Sequence, residues 1–179
     1  MNRWVATLPL AVLAALAVLF AGYALHHDPH VQPQALVGKS MPDLTLPSLD
    51  DGAAVRLRAA AASGPVLVNF FASWCGPCAL EHPELMRMRA AGVRILGIAY
   101  EDVPPRGSVD NTRAFLARLG DPFAVRLTDG DGRAGIEFGI TGVPETYLVA
   151  RDGTILAKHT GPLSEADGRA LIARALTGR

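Results

Sequence analysis

Val66-Leu67-Val68-Asn69-Phe70-Phe71-Ala72-Ser73-Trp74-Cys75-Gly76-Pro77-Cys78 joins an apolar run to two thiols, and a helical pattern follows. The run from Val66 to Phe71 reads as a buried strand. Pro77 suits the first turn of a helix, where its missing N–H would have had no partner. Cys75 then sits at or just before the helix N-terminus, where unpaired N–H groups and the helix dipole favour a thiolate. Cys78 lies nearly one turn further along the same face and can close a ring with Cys75. The thiolate is the species that attacks disulfides, so this stretch carries the local machinery of thiol–disulfide exchange. A Cys-x-x-Cys pair is also half of a zinc site. Zinc normally takes four ligands, and beyond the chain's 2 cysteines only His82 lies near enough in sequence to be a third. Redox chemistry is the preferred reading, with no bound metal and no other cofactor.

The 179 residues suffice for a tail and one ordinary domain. Lys+Arg and Asp+Glu balance at 17 each, which gives no footprint for a nucleic-acid partner. Val5 to Leu25 holds no charged residue. A helix of that length, at about 1.5 Å per residue, crosses a bilayer core of roughly 30 Å. Arg3 precedes it, and His26, His27 and Asp28 follow, so the N-terminus should be cytoplasmic and the rest exported. Gly22-Tyr23-Ala24 offers a signal-peptide cleavage site as the competing reading. The apolar stretch exceeds the usual ~7–15 residues of a signal core, which favours a retained anchor. The expected division is an anchor over 1–27, a linker over 28–36 and a folded domain over 37–179. In an oxidising compartment most cysteine pairs become structural staples. A loop this short gains little chain entropy from a crosslink, which makes it a poor staple.

Further along, Asp43 to Pro47 and Ala54 to Leu57 read as a strand pair around the turn Asp50-Asp51-Gly52, and Ala59 to Ser63 as a short helical or irregular piece. The helix after Cys75 should run to about Ala91, kink at Pro83 and stop at Gly92. Val93 to Tyr100 is a second apolar strand without alternation, as a central parallel strand should be. Asp110-Asn111-Thr112 can cap a helix over Arg113 to Leu119. Phe123 to Thr128 is a third strand. Asp129-Gly130-Asp131-Gly132 reads as a turn, since the closing Glu of a calcium loop is absent, and Arg133 to Phe138 as a short helix. Thr146 to Ala150 and Thr154 to Lys158 form a hairpin around Asp152-Gly153. Ser164 to Asp167 can cap a last helix reaching about Leu176. The sum is an α/β domain with a mixed central sheet covered by helices.

That order, with Trp74-Cys75-Gly76-Pro77-Cys78 after the core strand, resembles thioredoxin. Pro83 matches the fold's kink proline, and Gly142-Val143-Pro144 matches the segment that carries its cis-proline. More narrowly, the chain resembles the membrane-anchored thiol:disulfide interchange proteins of cytochrome c maturation, the DsbE/CcmG family. The residues that carry the likeness are Leu67-Val68-Asn69-Phe70, Cys78-Ala79-Leu80-Glu81-His82-Pro83, Asp129 to Gly132, Gly142-Val143-Pro144-Glu145-Thr146 and Lys158 to Leu163. The triplet Pro144-Glu145-Thr146 is the most family-specific of these.

The resemblance implies a thioredoxin-like fold on one N-terminal transmembrane helix, single-pass in a bacterial inner membrane, with the domain in the periplasm. It implies a protein-disulfide reductase with Cys75 as nucleophile, Cys78 as resolving thiol and Cys75–Cys78 as the redox-active disulfide. A cis bond before Pro144 would bare the Val143 backbone for an extended substrate, and Trp74 would flank that groove. Asn69 stands where thioredoxin has a buried acid and cannot act as a base. Glu81 and Glu145 are then the candidates for proton transfer or thiol tuning. The implied clients are apocytochrome c or a haem-ligation thiol protein, with a membrane thiol electron donor to restore the reduced state. A general or copper-site-assembly reductase would use the same chemistry. A copper metallochaperone built on Cys75, Cys78 and His82 is the alternative from another class. His82 and His159 read as packing or surface residues.

Overall fold

The computed structural model describes residues 3–26 and 36–177. The chain divides into two units, Met1–Pro33 and Gln34–Arg179. The first contains α1 (Arg3–His26). Its described side chains are those of 9 and 11–22, and over that range its large apolar residues are exposed. Among the described residues no helix is long and apolar enough to cross a membrane. His27 and all of the expected linker but residue 36 lie outside the described residues.

The second unit begins with β1 (Thr45–Pro47) and β2 (Ala54–Arg56), an antiparallel pair. Asp51 closes their turn by accepting the Ala53 N–H at 3.0 Å. α2 (Leu57–Ala61) starts earlier than the sequence indicates. Leu57 and Ala61, one turn apart, are both buried and fix that start. Then come β3 (Val66–Phe71), α3 (Gly76–Ala90), β4 (Ile95–Tyr100), α4 (Val109–Leu119), β5 (Val125–Asp129), α5 (Arg133–Phe138), β6 (Glu145–Val149), β7 (Ile155–Thr160) and α6 (Glu165–Thr177). The main sheet has the order β5-β4-β3-β6-β7. β3, β4 and β5 are parallel, and β6 and β7 are antiparallel to their neighbours.

Both faces of this sheet are covered, so β3 is buried at every position. Leu67 and Phe71 join Cys75, Cys78, Leu85, Phe115 and Leu171 on one face. Val66, Val68 and Phe70 join Leu57, Phe138, Tyr147 and Val149 on the other. That split decides which side chains can reach the thiols.

Three local readings change. α4 is capped by Ser108, whose Oγ accepts the Asn111 N–H at 3.1 Å, rather than by Asp110 to Thr112. β5 starts at Val125 because Phe123 turns inward and stacks on Phe71 with ring centres 4.7 Å apart. Gly97 makes room for it, since a Cβ there would lie 2.6 Å from the Phe123 ring. Asp129 ends β5 and is buried, and its carboxylate accepts the N–H groups of Ala134 and Gly135 at 2.9 and 2.8 Å. The acidic turn therefore caps α5 from within.

Candidate active site

Cys75 is the N-cap of α3, with extended backbone, and Pro77 stands in the first turn. Cys75 and Cys78 form a disulfide with Cα atoms 5.3 Å apart. The Cys78 N–H points at Cys75 Sγ, 3.1 Å away. Once the bond is reduced, that donor and the helix terminus stabilise a Cys75 thiolate. Cys75 keeps 5% of its surface and Cys78 only 1%, so an incoming disulfide meets Cys75 first. Cys75 Sγ also lies 3.5 Å from the Val143 carbonyl oxygen. The Val143–Pro144 bond is cis, and Pro144 is buried.

Trp74 is 39% exposed beside the pair. Its indole N–H donates to the Glu101 carbonyl at 3.3 Å, and the Arg106 guanidinium lies 5.4 Å from its ring centre. Arg106 in turn pairs with the Glu101 carboxylate at 2.9 Å. Glu101 has φ of 45°, in the left-handed region that favours glycine. Below Trp74, the buried Asp102 takes the Ser73 N–H at 2.7 Å, the Ser73 hydroxyl at 2.6 Å and the Thr112 hydroxyl at 2.6 Å. Gly107 passes so close to Asp102 that a Cβ would sit 1.8 Å from its Oδ1. Asp102 thus ties the loop before Cys75 to α4. From sequence, residues 101–110 read as a plain loop, and this anchor goes unread. The signal present was an acid just past the C-terminal end of a parallel strand, where open α/β sheets gather functional groups.

Glu81 has no solvent exposure. It follows Cys78 by three residues on α3, nearly one turn on along the same side. Its Oε1 accepts from the Asn69 amide at 2.8 Å and its Oε2 from the Leu163 N–H at 3.0 Å. Burial pushes its carboxyl up to about 7, although both hydrogen bonds pull the other way. Asn69, paired across strands with Thr146, also donates to the Thr146 hydroxyl at 3.0 Å, and its own Oδ1 has no partner. Asn69 is therefore the group that orients Glu81.

Glu145 is equally buried but lies elsewhere. It alternates with Tyr147 on β6 and so shares Tyr147's face of the sheet, opposite the thiols. Its Oε1 accepts from the Thr141 N–H and hydroxyl at 3.0 and 2.9 Å. Its Oε2 meets the Tyr147 hydroxyl at 3.1 Å and the Lys158 ammonium at 2.8 Å. The expected proton-relay or groove role for Glu145 is corrected accordingly. The carboxylate pins the segment leading into Pro144 from behind and does not face the cysteines. Lys158, its partner, stands in the sequence only as the start of a family-like segment, with no site role. His82 bonds through Nε2 to the Gly120 carbonyl at 2.7 Å and stands edge-on to Phe115, so it is occupied in the core. His159 lies 3.8 Å from Asp167.

Comparison with known proteins places this geometry. Residues 36–172 match the Redoxin family. The chain is 42% identical over 159 residues to the thiol:disulfide interchange protein DsbE of Allochromatium vinosum, covering 88% of this chain and 84% of that one. It is 39% identical over 176 residues to DsbE of Pseudomonas aeruginosa, covering 97% and 93%. Among solved structures, a DsbE-type thiol:disulfide interchange protein of Chlorobium tepidum superposes with a TM-score of 0.66 at 28% identity, over 79% of this chain and 96% of that one.

Proposed function

The chain belongs to the Redoxin family and is a thioredoxin-like thiol:disulfide interchange oxidoreductase of the DsbE type, and from that premise we propose that it serves as a dithiol reductant in cytochrome c maturation. The observation that carries this reading is the segment Pro144-Glu145-Thr146, on which the resemblance to the DsbE/CcmG family rests most narrowly. Each of its residues is built into the site. Pro144 abuts Cys75 through Val143, Glu145 anchors the approach to Pro144, and Thr146 holds Asn69.

The step begins with Cys75 as thiolate. It attacks one sulfur of the client disulfide, the client S–S bond breaks, and the departing sulfur takes a proton. Cys78 then loses its proton, attacks Cys75 and expels the second client thiolate. Two electrons pass to the client, and the Cys75–Cys78 disulfide remains. Glu81 is the group that takes the Cys78 proton, because a carboxyl held near 7 accepts and returns protons at neutral pH. The client lies extended along Val143 and Pro144 with Trp74 at its flank. Apocytochrome c, or a haem-ligation protein with its own thiols, is the client. A membrane thiol carrier returns the electrons.

The domain works in the periplasm on an N-terminal inner-membrane anchor. Supporting this, Val5 to Leu25 carries no charge, and Leu13, Val18 and Phe20 of α1 present 67%, 73% and 67% of their surface. Such a surface is better matched by lipid than by water. Replacing Cys78 by Ala in the full chain tests the client. Mixed disulfides should accumulate on Cys75 in the native cells, and mass spectrometry should find apocytochrome c or a haem-ligation component. Capture of many unrelated exported proteins instead points to a general reductase.

A further inference from the structure

Beside Trp74, one face of α4 walls a cavity of about 350 Å³. Asn111, Ala114, Phe115 and Arg118 supply that wall, at the spacing of a single helix face, and Arg106 closes the other side with Trp74. Two guanidinium groups line the cavity, and no carboxylate does. Arg106 is committed to Glu101 and to the Trp74 ring. Arg118 is not. Among the described residues its side chain makes no ion pair and no hydrogen bond. The Asn111 amide oxygen accepts from Ser108, which leaves the amide N–H groups free to donate.

The exchange reading puts a polypeptide at Cys75, next to this cavity. An extended strand advances about 3.3 Å per residue, so side chains up to three residues from the attacked cysteine sweep roughly 10 Å past it. Trp74 and Ala114, both exposed at the cavity, suit a methylene stem. The guanidinium fork of Arg118 suits a carboxylate, which it can meet with two parallel hydrogen bonds. We propose that this cavity is a subsite for an acidic side chain, Asp or Glu, of the client segment flanking the disulfide that Cys75 attacks. The subsite rests on the thiol-exchange reading. It adds a rule for choosing among clients: a disulfide with an acid at the right offset reacts faster than one without.

The test uses the reduced full chain and synthetic disulfide-looped peptides. A single Glu is walked through the three positions on either side of the attacked cysteine, against a Gln parent. At one offset the Glu peptide should react roughly fivefold faster than the parent, the scale of a partly exposed charge-assisted contact. The gain should shrink as salt rises. In Arg118→Gln the Glu-to-Gln ratio should fall to about one, and Arg118→Lys should restore part of it. A ratio of one at every offset in the parent chain overturns the subsite, as does a ratio that survives Arg118→Gln. Failure to reduce any peptide, the Gln parent included, sinks the exchange reading along with it.

Discussion

Glu81 and Glu145 are both fully buried carboxyls within one domain, yet they have opposite electrostatic surroundings. Among the described residues Glu81 meets only neutral donors, the Asn69 amide and the Leu163 N–H. Glu145 meets the Lys158 ammonium, which is itself nearly buried with 7% of its side chain exposed, as well as Thr141 and Tyr147. Burial disfavours the charged form of a carboxyl, and a cation in contact restores it. The first group is therefore poised to exchange a proton near neutral pH, and the second is closed in an ion pair with Lys158. Their positions agree with this division. Glu81 shares the face of the thiols, and Glu145 shares the face of Tyr147 and Phe138.

Removing the cation should leave Glu145 buried without its ionic partner. Lys158→Met strands the Glu145 charge in the core. Loss of one partner from a buried pair costs about 3–5 kcal/mol, read as the unfolding free energy in urea at pH 7. Equal stability of the variant and the parent chain would falsify the claim that the pair is closed.

Glu81 makes a prediction about the sign of a pH effect. Its folded pKa is near 7, above the ordinary 4.5. Between these values the native state binds more protons than the unfolded state, so stability falls as pH rises. The contribution is complete below about pH 4.5 and gone above about pH 7, and it amounts to at most about 3 kcal/mol. Denaturant titrations of the oxidised protein across that window should show the decline, and Glu81→Gln should flatten it. A rise in stability over the same window would contradict the assignment.

The same group governs the rate. Cys78 must surrender its proton to resolve a mixed disulfide, and a positioned base typically contributes 10²-fold or more. Glu81→Gln should slow resolution roughly 100-fold at pH 7 and abolish an inflection near that pH. Stopped-flow reaction with a disulfide peptide reads both. If the inflection persists in the variant, another group carries the proton.

Much of this site is written in local sequence. The run Val66 to Phe71, the Gly-Pro spacer and the one-turn offset of Cys78 are short-range patterns, and helix geometry alone puts Glu81 on the cysteine side. The face of Glu145 is not local. A central strand is buried on both sides, so β6 shows no polar alternation from which to read its faces. Which face holds the thiols is settled by the pairing of Asn69 with Thr146, residues from distant parts of the chain. Lys158 is harder still, because β7 reaches Glu145 across a register irregularity between Leu148 and Val149. Asp102 depends on Ser73 and Thr112, which only the closed fold brings together. The resemblance to a known family grouped both glutamates with the cysteines. Only three-dimensional parity separates them.

The finest test of that separation touches Glu145 without removing its charge. The Thr141 side chain donates to Glu145 Oε1 at 2.9 Å, and its backbone N–H donates to the same atom. Thr141→Val deletes the first bond, keeps the second and preserves the branched shape. One partly exposed hydrogen bond to a carboxylate is worth about 1 kcal/mol, so unfolding stability should drop by about that much. The segment before Pro144 should loosen as well, seen as faster amide exchange at Thr141 and Val143. The inflection near pH 7 in the exchange rate should stay where it is, because Glu81 and Asn69 lie across the sheet. If the variant moves that inflection, the two carboxylates form one coupled proton system, and the division argued from their faces is wrong.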